Sequence, residues 1–472
     1  MVASDKHPRP LERKDGAAKV AVTRAYAQHQ YHLLFIAFVA SLYALYHQYA
    51  SKHGKQAAAS LYLSTPAASA SDHAQAMPSS PSSPSSCPSP PSSPSHPPCP
   101  PSDEPPSHTK SIFLPYVYEF KTENVPLVPV TIRAGHAAAD IDIDMPVDTG
   151  STGLMIGAPL LPGIDPSQGT LGRQYLSSSN IVYVGRYLDM NLTFHGEAGS
   201  QADVTVPVLI VDRSWICPWY DPAKHGFECP RGPAGEEPIE RDVSAITYMG
   251  VGFGRNKNTS GQRTTSPEGN PFLNVRSIDG KWVGSGEMRA GYIVSTRGIQ
   301  LGLTEKDTQA FDFMDLEPGL THASDSRDWA MPRMRFRVNG VQSIPGFALI
   351  DTGIPQMYIR AEDSMPLPEV VVRNPKANGT HSMVHRVKNG TEIEIDFAAV
   401  KDGSVGAVQA RYSFQVGAAS PMTPSFVAPG RQEPPPYVNT GRNFLKGYSI
   451  AFDAVDGRLG FQPVRRGVKA TL

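Results

Sequence analysis

The chain has 472 residues, a formal net charge of −1 and 45 prolines. Its length exceeds that of one ordinary hydrophobic core and predicts two or three globular units. The proline content is about twice the usual ~5%, so part of the chain is expected to lie outside any core. A net charge near zero gives no electrostatic reason to expect nucleic acid as a partner.

The first feature along the chain is an apolar segment that follows a basic one. No Asp, Glu, Lys or Arg occurs between Arg24 and Lys52, and the centre, 33–46, is rich in Leu, Ala, Phe and Val. With its Tyr-rich flanks, this pattern predicts a transmembrane signal-anchor over 31–50. The basic residues of 1–30 predict that this N-terminal stretch stays in the cytosol. A cleaved signal peptide and a buried core helix are the alternatives.

The next segment, 51–110, is dominated by Ala, Ser and Pro and cannot bury a core. It predicts a disordered, extended stalk, in which Cys87 and Cys99 can pair with each other, pair between chains or stay reduced. We therefore expect a single-pass type II membrane protein of the secretory pathway or cell surface, or a secreted protein if the apolar segment is cleaved. Four Asn-x-Ser/Thr sequons agree with that compartment: Asn191, Asn258, Asn378 and Asn389.

From 111 onward the chain consists of short runs rich in Val, Ile, Tyr and Phe, separated by Gly, Pro and Asn. Alternation and β-branched residues predict strands, and no long stretch has a helical period, so this part is expected to be mainly β. The clearest strand runs are 128–133, 203–211, 291–295, 334–340 and 391–397.

The remaining two cysteines, Cys217 and Cys229, lie close together in a loop that carries Pro and Gly. Four cysteines in all are too few for a disulfide scaffold and lack the C-x-x-C spacing of a structural zinc site. We expect Cys217 and Cys229 to form a disulfide in an oxidising compartment. The sequence gives no reason to expect a metal or a cofactor.

A repeated motif carries the chemistry. Asp148-Thr-Gly and, about two hundred residues later, Asp351-Thr-Gly each follow an apolar strand. Two carboxylates held a few ångströms apart cannot both ionise, so the pair keeps one proton. Such a pair is an acid and a base at once, and it can activate water against a carbonyl group.

The chain resembles the pepsin-like aspartic peptidases over roughly 112–463. The resemblance rests on the two Asp-Thr-Gly motifs and on three further segments: Tyr248-Met-Gly-Val-Gly-Phe-Gly254, Asn270-Pro-Phe-Leu, and the closing pair Phe444-Leu-Lys-Gly-Tyr-Ser-Ile-Ala-Phe-Asp453 and Gly457-Arg-Leu-Gly-Phe461. It implies a bilobal, mainly β fold. Two pseudo-twofold-related β-barrel lobes, 111–325 and 326–472, would enclose a substrate cleft.

The resemblance also implies a role for individual residues. Asp148 and Asp351 would be the catalytic pair, and Tyr183 is the candidate for the flap tyrosine that covers the cleft. Supporting roles fall to the rest of the two motifs: Thr149 and Thr352, which would cross-brace the loops, Gly150 and Gly353, which permit the turns, and Ser151, which would donate to Asp148.

The chain departs from the family pattern at several of these places. Ile354 stands where a Ser or Thr is usual, so Asp351 would lack a hydroxyl donor, which predicts a raised pKa and a less acidic pH optimum. Met155 replaces a Trp that often supports the flap. Asn439 and Thr440 replace apolar residues, so the second loop is expected to be braced differently.

The sequence thus predicts a monomeric aspartic-type endopeptidase that acts on polypeptides and is held to the membrane by a single span. The alternative is a protein of the same fold that binds a peptide or protein in its cleft without cutting it.

Two other patterns in the sequence do not indicate a site. Asp140-Ile-Asp-Ile-Asp144 fails the spacing of a calcium loop and is interpreted as the polar face of a strand. No Gly-x-Ser-x-Gly elbow occurs.

Overall fold

The computed structural model of the chain describes residues 108–133, 140–176, 178–255, 265–284, 286–375, 381–401, 404–430 and 435–464. The expected cytosolic stretch, the expected membrane segment and nearly all of the stalk, with Cys87 and Cys99, lie outside these ranges. Within them, no helix has both the length and the apolar character needed to cross a membrane.

The described chain is mainly β, as expected. Its strand β1 (Ile112–Pro115) belongs to a six-stranded sheet described below. The next ten strands form the N-terminal sheet: β2 (Leu127–Arg133), β3 (Ile141–Asp148), β4 (Thr152–Gly157), β5 (Thr170–Leu176), β6 (Ile181–His195), β7 (Gln201–Ile216), β8 (Ile239–Glu240), β9 (Thr247–Val251), β10 (Val275–Ile278) and β11 (Lys281–Trp282).

The strand order of the N-terminal sheet is β11-β10-β7-β4-β9-β3-β2-β6-β5, with β8 on β7. Because β6 also pairs with β7, the strands from β7 through β4, β9, β3 and β2 to β6 form a closed ring of hydrogen-bonded neighbours. Closure removes free strand edges and encloses a core. Strand β4 is one member of this ring and is hydrogen-bonded to β7 on one side and β9 on the other. Every residue of β4 is buried.

The remaining elements follow in chain order. They are β12 (Gly291–Val294), β13 (Gly298–Leu301), the short helix α1 (Glu305–Thr308), β14 (Asp312–Asp315), β15 (Arg333–Val338), β16 (Val341–Gln342), β17 (Gly346–Leu349), β18 (Met357–Arg360), β19 (Glu369–Pro375), β20 (His381–Val387), β21 (Glu392–Lys401), β22 (Ser404–Gln415), β23 (Val427–Pro429), β24 (Tyr437–Asn439), β25 (Tyr448–Asp453) and β26 (Arg458–Pro463). Short 3₁₀ helices lie at Ala158–Leu160, Glu197–Gly199, Pro267–Gly269, Pro271–Leu273 and Arg442–Lys446.

A C-terminal sheet has the order β22-β21-β15-β17-β24-β18-β23, with β16 on β15, and β19 and β20 form a separate hairpin. A connecting sheet, β1-β13-β12-β25-β26-β14, joins strands from the start, middle and end of the described chain. Aromatic side chains link the N-terminal sheet to it: Phe194 of β6 meets Phe272 of a 3₁₀ helix edge to face, and Phe272 in turn meets Tyr292 of β12 edge to face.

Strand alternation accounts for these elements locally. In β15, Met334, Phe336 and Val338 are buried, while the arginines between them face outward. The acidic run that opens β3 behaves as interpreted from its sequence, since Asp142 and Asp144 are exposed and the isoleucines between are partly buried. Period-two patterns therefore decide which face of each strand enters the core.

A disulfide joins Cys217 to Cys229 across the loop that follows β7. Cys217 is fully buried and packs against Val182, Val184 and Tyr220. We expect replacement of both cysteines by Ser to lower the free energy of unfolding by about 2–3 kcal/mol, because the unfolded chain loses a short covalent loop. Urea unfolding followed by tryptophan fluorescence measures the change. The paired Cys87 and Cys99 substitutions are the control and should leave the midpoint unchanged.

Candidate active site

Two segments that carry Asp-Thr-Gly come together in the structure. Asp148 is the last residue of β3, and Asp351 follows β17 by two residues. Met145 and Val147 are fully buried, so β3 is anchored in the core and holds Asp148 at a fixed point. Asp351 is 6% exposed. Each carboxyl group also lies against the opposite Asp-Thr-Gly loop, so two groups far apart in sequence share one site.

The two threonines that follow the aspartates brace the segments against each other. The backbone N–H of Thr149 donates to Oγ1 of Thr352 at 3.0 Å, and that of Thr352 donates to Oγ1 of Thr149 at 3.1 Å. Each hydroxyl also donates a hydrogen bond across to the opposite segment. The Thr149 hydroxyl donates to the carbonyl of Ile350 at 2.7 Å, and the Thr352 hydroxyl donates to that of Val147 at 2.6 Å. This symmetric set of buried hydrogen bonds fixes the relative position of the two aspartates.

The two glycines let the carboxyl groups approach. The N–H of Gly150 donates to Asp148 and that of Gly353 donates to Asp351, each at 2.7 Å. A β-carbon at Gly150 would lie 2.6 Å from Oδ1 of Asp351, and one at Gly353 would lie 2.7 Å from Oδ1 of Asp148. Each carboxyl group therefore lies against the glycine of the opposite loop, in space that any side chain would fill.

Asp148 accepts two side-chain hydrogen bonds in addition to the one from its own loop. Ser151 donates its hydroxyl at 2.8 Å, as the resemblance implied, and Tyr248 donates its phenol at 2.6 Å. Burial and the charge of Asp148 raise the pKa of Tyr248 well above its usual value, so the phenol keeps its proton and stays a donor. Three donors therefore hold the Asp148 carboxyl group in place.

Asp351 has a donor that sequence reasoning did not assign to it. Ile354 supplies no hydroxyl, but the side-chain amide of Asn439 at the end of β24 donates to Asp351 at 2.5 Å. The donor is thus an amide from a different strand and not a hydroxyl next to the motif, so the second loop is braced differently from the first, as the Asn439-Thr440 replacement predicted. Asn439 also accepts a hydrogen bond from the N–H of Gly441, which holds its amide in that orientation.

The surroundings of Asp351 nevertheless raise its pKa. Burial first, and then the negative charge of Asp148, raise the pKa of Asp351 to about 7 from its ordinary 3.8. The hydrogen bonds from Asn439 and Gly353 act in the opposite direction and do not cancel this effect. Asp351 is therefore the member of the pair that holds a proton up to about pH 7.

Tyr248 is expected to contribute to any activity of this pair. In the Tyr248→Phe variant we expect kcat to fall about tenfold, because a charge-assisted hydrogen bond to Asp148 is lost while the ring remains. Steady-state cleavage of a peptide substrate measures the effect. Tyr118→Phe is the matched control, since Tyr118 is 63% exposed and its substitution should change nothing. Equal kcat values for both variants would show that Tyr248 does not contribute to the activity.

The flap candidate Tyr183 lies in β6, opposite Gln174 of β5. Its side chain is buried in a cluster that contains Met155 and contacts Tyr248, and its hydroxyl lies 3.3 Å from a guanidinium nitrogen of Arg241. The structure thus places Met155, the residue that replaces the usual Trp, beside this tyrosine.

A buried arginine contacts the loop that carries Asp351. Arg442 is 2% exposed and donates from Nη2 to the carbonyl of Gly353 at 2.6 Å. Burial lowers the pKa of Arg442 to about 10, against the opposing charges of Asp351 and Asp148. Arg442 remains a cation at neutral pH and places positive charge next to the carboxylates. The family resemblance gave no signal for Arg442, because its role depends on its position beside the second loop.

Of the four sequons, the structure describes two. Asn191 and Asn389 are both exposed, as a glycan would require, whereas Asn258 and Asn378 lie outside the described residues.

In the part of the chain that the structure describes, no group of three or more His, Cys, Asp or Glu side chains is arranged to hold a metal ion. Models of known protein families gave no match to this sequence, and a comparison with curated proteins gave none either.

Proposed function

We propose that this chain is an aspartic-type endopeptidase of the pepsin-like class, which hydrolyses peptide bonds between Asp148 and Asp351. The observation that carries the proposal is the placement of both carboxyl groups in one buried frame, braced by Thr149 and Thr352. The N-terminal and C-terminal sheets each supply one Asp-Thr-Gly, which supports a bilobal arrangement with pseudo-twofold symmetry.

The division of protons between the two aspartates defines the proposed mechanism. Asp148, as the carboxylate, removes a proton from a water molecule held between the pair, and the oxygen attacks the scissile carbonyl carbon. Asp351 donates its proton to the carbonyl oxygen, which gives a neutral tetrahedral intermediate. Asp148 then gives the proton that it took from water to the amide nitrogen, while the ionised Asp351 takes a proton from a hydroxyl of the intermediate; the C–N bond breaks to give a carboxylic acid and an amine, and the pair returns to its starting state. Because the site is buried, the electrostatic interactions that stabilise these proton transfers are stronger than they would be in water.

The test is cleavage of a mixed peptide library by the whole protein between about pH 3 and pH 8. We expect cleavage that is blocked by pepstatin and absent from the Asp148→Asn variant. Asp144→Asn is the matched control, because this exposed carboxylate lies on the same strand but faces solvent. Absence of cleavage across the whole range, with retained peptide binding, would favour the binding protein over the enzyme.

The pH dependence of cleavage follows from the raised pKa of Asp351. We expect activity to persist into weakly acidic solution and to fall as pH rises through about 7, where Asp351 loses the proton that it donates. A pH–rate profile of kcat/KM for one peptide measures this limb. Activity confined to strongly acidic solution would contradict the prediction.

We further propose that the peptidase part lies outside the cytosol, anchored by 31–50 and held away from the membrane by the 51–110 stalk. The disulfide between Cys217 and Cys229 supports an oxidising compartment. Protease protection of microsomes, combined with enzymatic removal of N-glycans, tests this topology. Digestion of the peptidase part in sealed vesicles would overturn it.

A further inference from the structure

A cavity lies in the C-terminal part of the described chain, between the β19–β20 hairpin and the segment that leads into β23. It measures about 380 Å³, which is large enough for a substrate side chain. Its walls are apolar on the hairpin side, with Val370, Val372 and Val387, and are completed by Phe426 of the facing segment.

This cavity adjoins the loop that carries Asp351. Ser425 donates to the carbonyl of Pro355 from its N–H at 3.4 Å and from its hydroxyl at 3.2 Å. The N–H of Met357 donates to the carbonyl of Phe426 at 3.1 Å. The wall formed by Ser425 and Phe426 is therefore bonded to the residues that directly follow the second Asp-Thr-Gly.

One side chain, Tyr358, is close enough to both the cavity arginine and Asp351 to be affected by their charges. Its neighbours in β18, Met357 and Ile359, are buried, so by alternation Tyr358 faces away from the core. Burial raises the pKa of Tyr358, and both the positive charge of Arg386 and the negative charge of Asp351 act on it. The cavity arginine and the dyad are thus both within electrostatic reach of one side chain.

The charges that line the cavity are positive. Arg386 and Lys388 lie in its wall, and no acidic residue of the described chain does. The guanidinium of Arg386 lies 3.9 Å from the ring centroid of Phe426, which orients its planar face over the aromatic wall. Arg386 also donates from Nη1 to the carbonyl of His385 at 2.8 Å, and the His385 ring lies 2.7 Å from Glu369, the acidic residue of the same hairpin.

The charges of two further arginines also act on this part of the site. The charge of Arg255 lowers the pKa of Asp351, and Arg255 and Arg360 both act on Tyr437, which neighbours it. A polypeptide that reaches the dyad from this side therefore meets a positive field, which favours negatively charged segments.

We propose that the cavity is a substrate subsite that binds an acidic side chain, Glu or Asp, at one position flanking the cleaved bond, and that Arg386 selects it. The aliphatic walls contact the methylene groups of the bound residue, and the guanidinium pairs with its carboxylate. As a statement about cleavage preference the inference rests on the proposed function. As a statement about peptide binding it does not.

The test uses the full chain and peptide series that carry Glu, Gln or Lys at each position around a cleaved bond. At one position we expect kcat/KM for Glu to exceed that for Gln by about tenfold. The preference should shrink to within about twofold in Arg386→Gln, survive in part in Arg386→Lys, and reverse in favour of Lys in Arg386→Glu. Arg373→Gln is the matched control, since Arg373 is exposed on β19 of the same hairpin and does not line the cavity.

Binding of fluorescein-labelled Glu and Gln peptides to the Asp148→Asn protein separates this inference from the proposed function. If the wild-type chain cleaves nothing, tighter binding of the Glu peptide that is lost in Arg386→Gln still supports the subsite. Cleavage or binding that is equal for Glu and Gln peptides at every position overturns it, as does an acidic preference that Arg386→Gln and Arg373→Gln leave equally intact. Thermal denaturation of each variant shows whether a lost preference reflects unfolding instead.

Discussion

The Asp351→Asn variant is expected to lose peptide cleavage by about 1000-fold, because an amide cannot supply the proton that the carboxylic acid gives to the carbonyl oxygen. Asn439 can still donate to the new side chain, and the threonine brace does not involve it. The loss should therefore appear in kcat, with little change in peptide binding. Single-turnover cleavage and equilibrium binding, measured on the same peptide, separate the two quantities.

The same substitution is expected to stabilise the fold in neutral and basic solution. The folded state holds a proton on Asp351 up to about pH 7, whereas the unfolded chain releases it near 3.8. Wild-type stability therefore falls as pH rises between these values, and an uncharged Asn escapes the fall. The gain is at most about 4 kcal/mol above pH 7 and vanishes below about pH 4.

Thermal denaturation of both proteins at several pH values measures this gain. We expect the melting temperature of Asp351→Asn to exceed that of the wild type by several degrees at pH 8 and to match it at pH 4. Asp144→Asn serves as the control and should match the wild type at both pH values, because Asp144 is exposed. A variant that is less stable than the wild type at pH 8 would show that Asp351 is not a buried, proton-holding carboxyl group.

The Gly150→Ala variant is expected to lose about 100-fold in kcat. The added methyl group would lie within 2.6 Å of Oδ1 of Asp351, closer than a real contact allows, so one of the two loops must move. A displacement of the order of 1 Å in a catalytic group costs about this much. Gly150 directly follows Thr149, whose hydrogen bonds with Thr352 brace the two loops. A shift at Gly150 is therefore expected to lower stability as well.

The matched control for Gly150→Ala is Gly284→Ala, since a β-carbon at Gly284 meets no atom of the described chain within 4 Å. This variant should retain full activity. Gly353→Ala, which would crowd Asp148 from the opposite loop, should repeat the effect of Gly150→Ala. Full activity in both loop variants would mean that the two carboxyl groups do not lie as close as the structure places them.

Much of the architecture could be predicted from local sequence. Period-two patterns gave the mainly β character and the inward faces of strands such as β15, because side-chain alternation depends only on backbone geometry. The pairing of Cys217 with Cys229 was predictable because the two lie close in sequence within one loop. Sheet order could not be predicted in this way. The closed ring of the N-terminal sheet depends on pairings between distant strands, such as β2 with β6, and not on the composition of either strand.

At the site, local sequence was enough to locate two aspartates, each followed by Thr and Gly, just after apolar strands. Their surroundings became visible only in the folded chain. Asn439, Tyr248 and Arg442 contact the two loops from elsewhere in the chain, and Asn439 gives Asp351 an amide donor where Ile354 offers no hydroxyl. The physical reason is that a carboxyl group's proton affinity depends on burial and on every donor and charge around it in space, whereas a motif records only its neighbours along the chain.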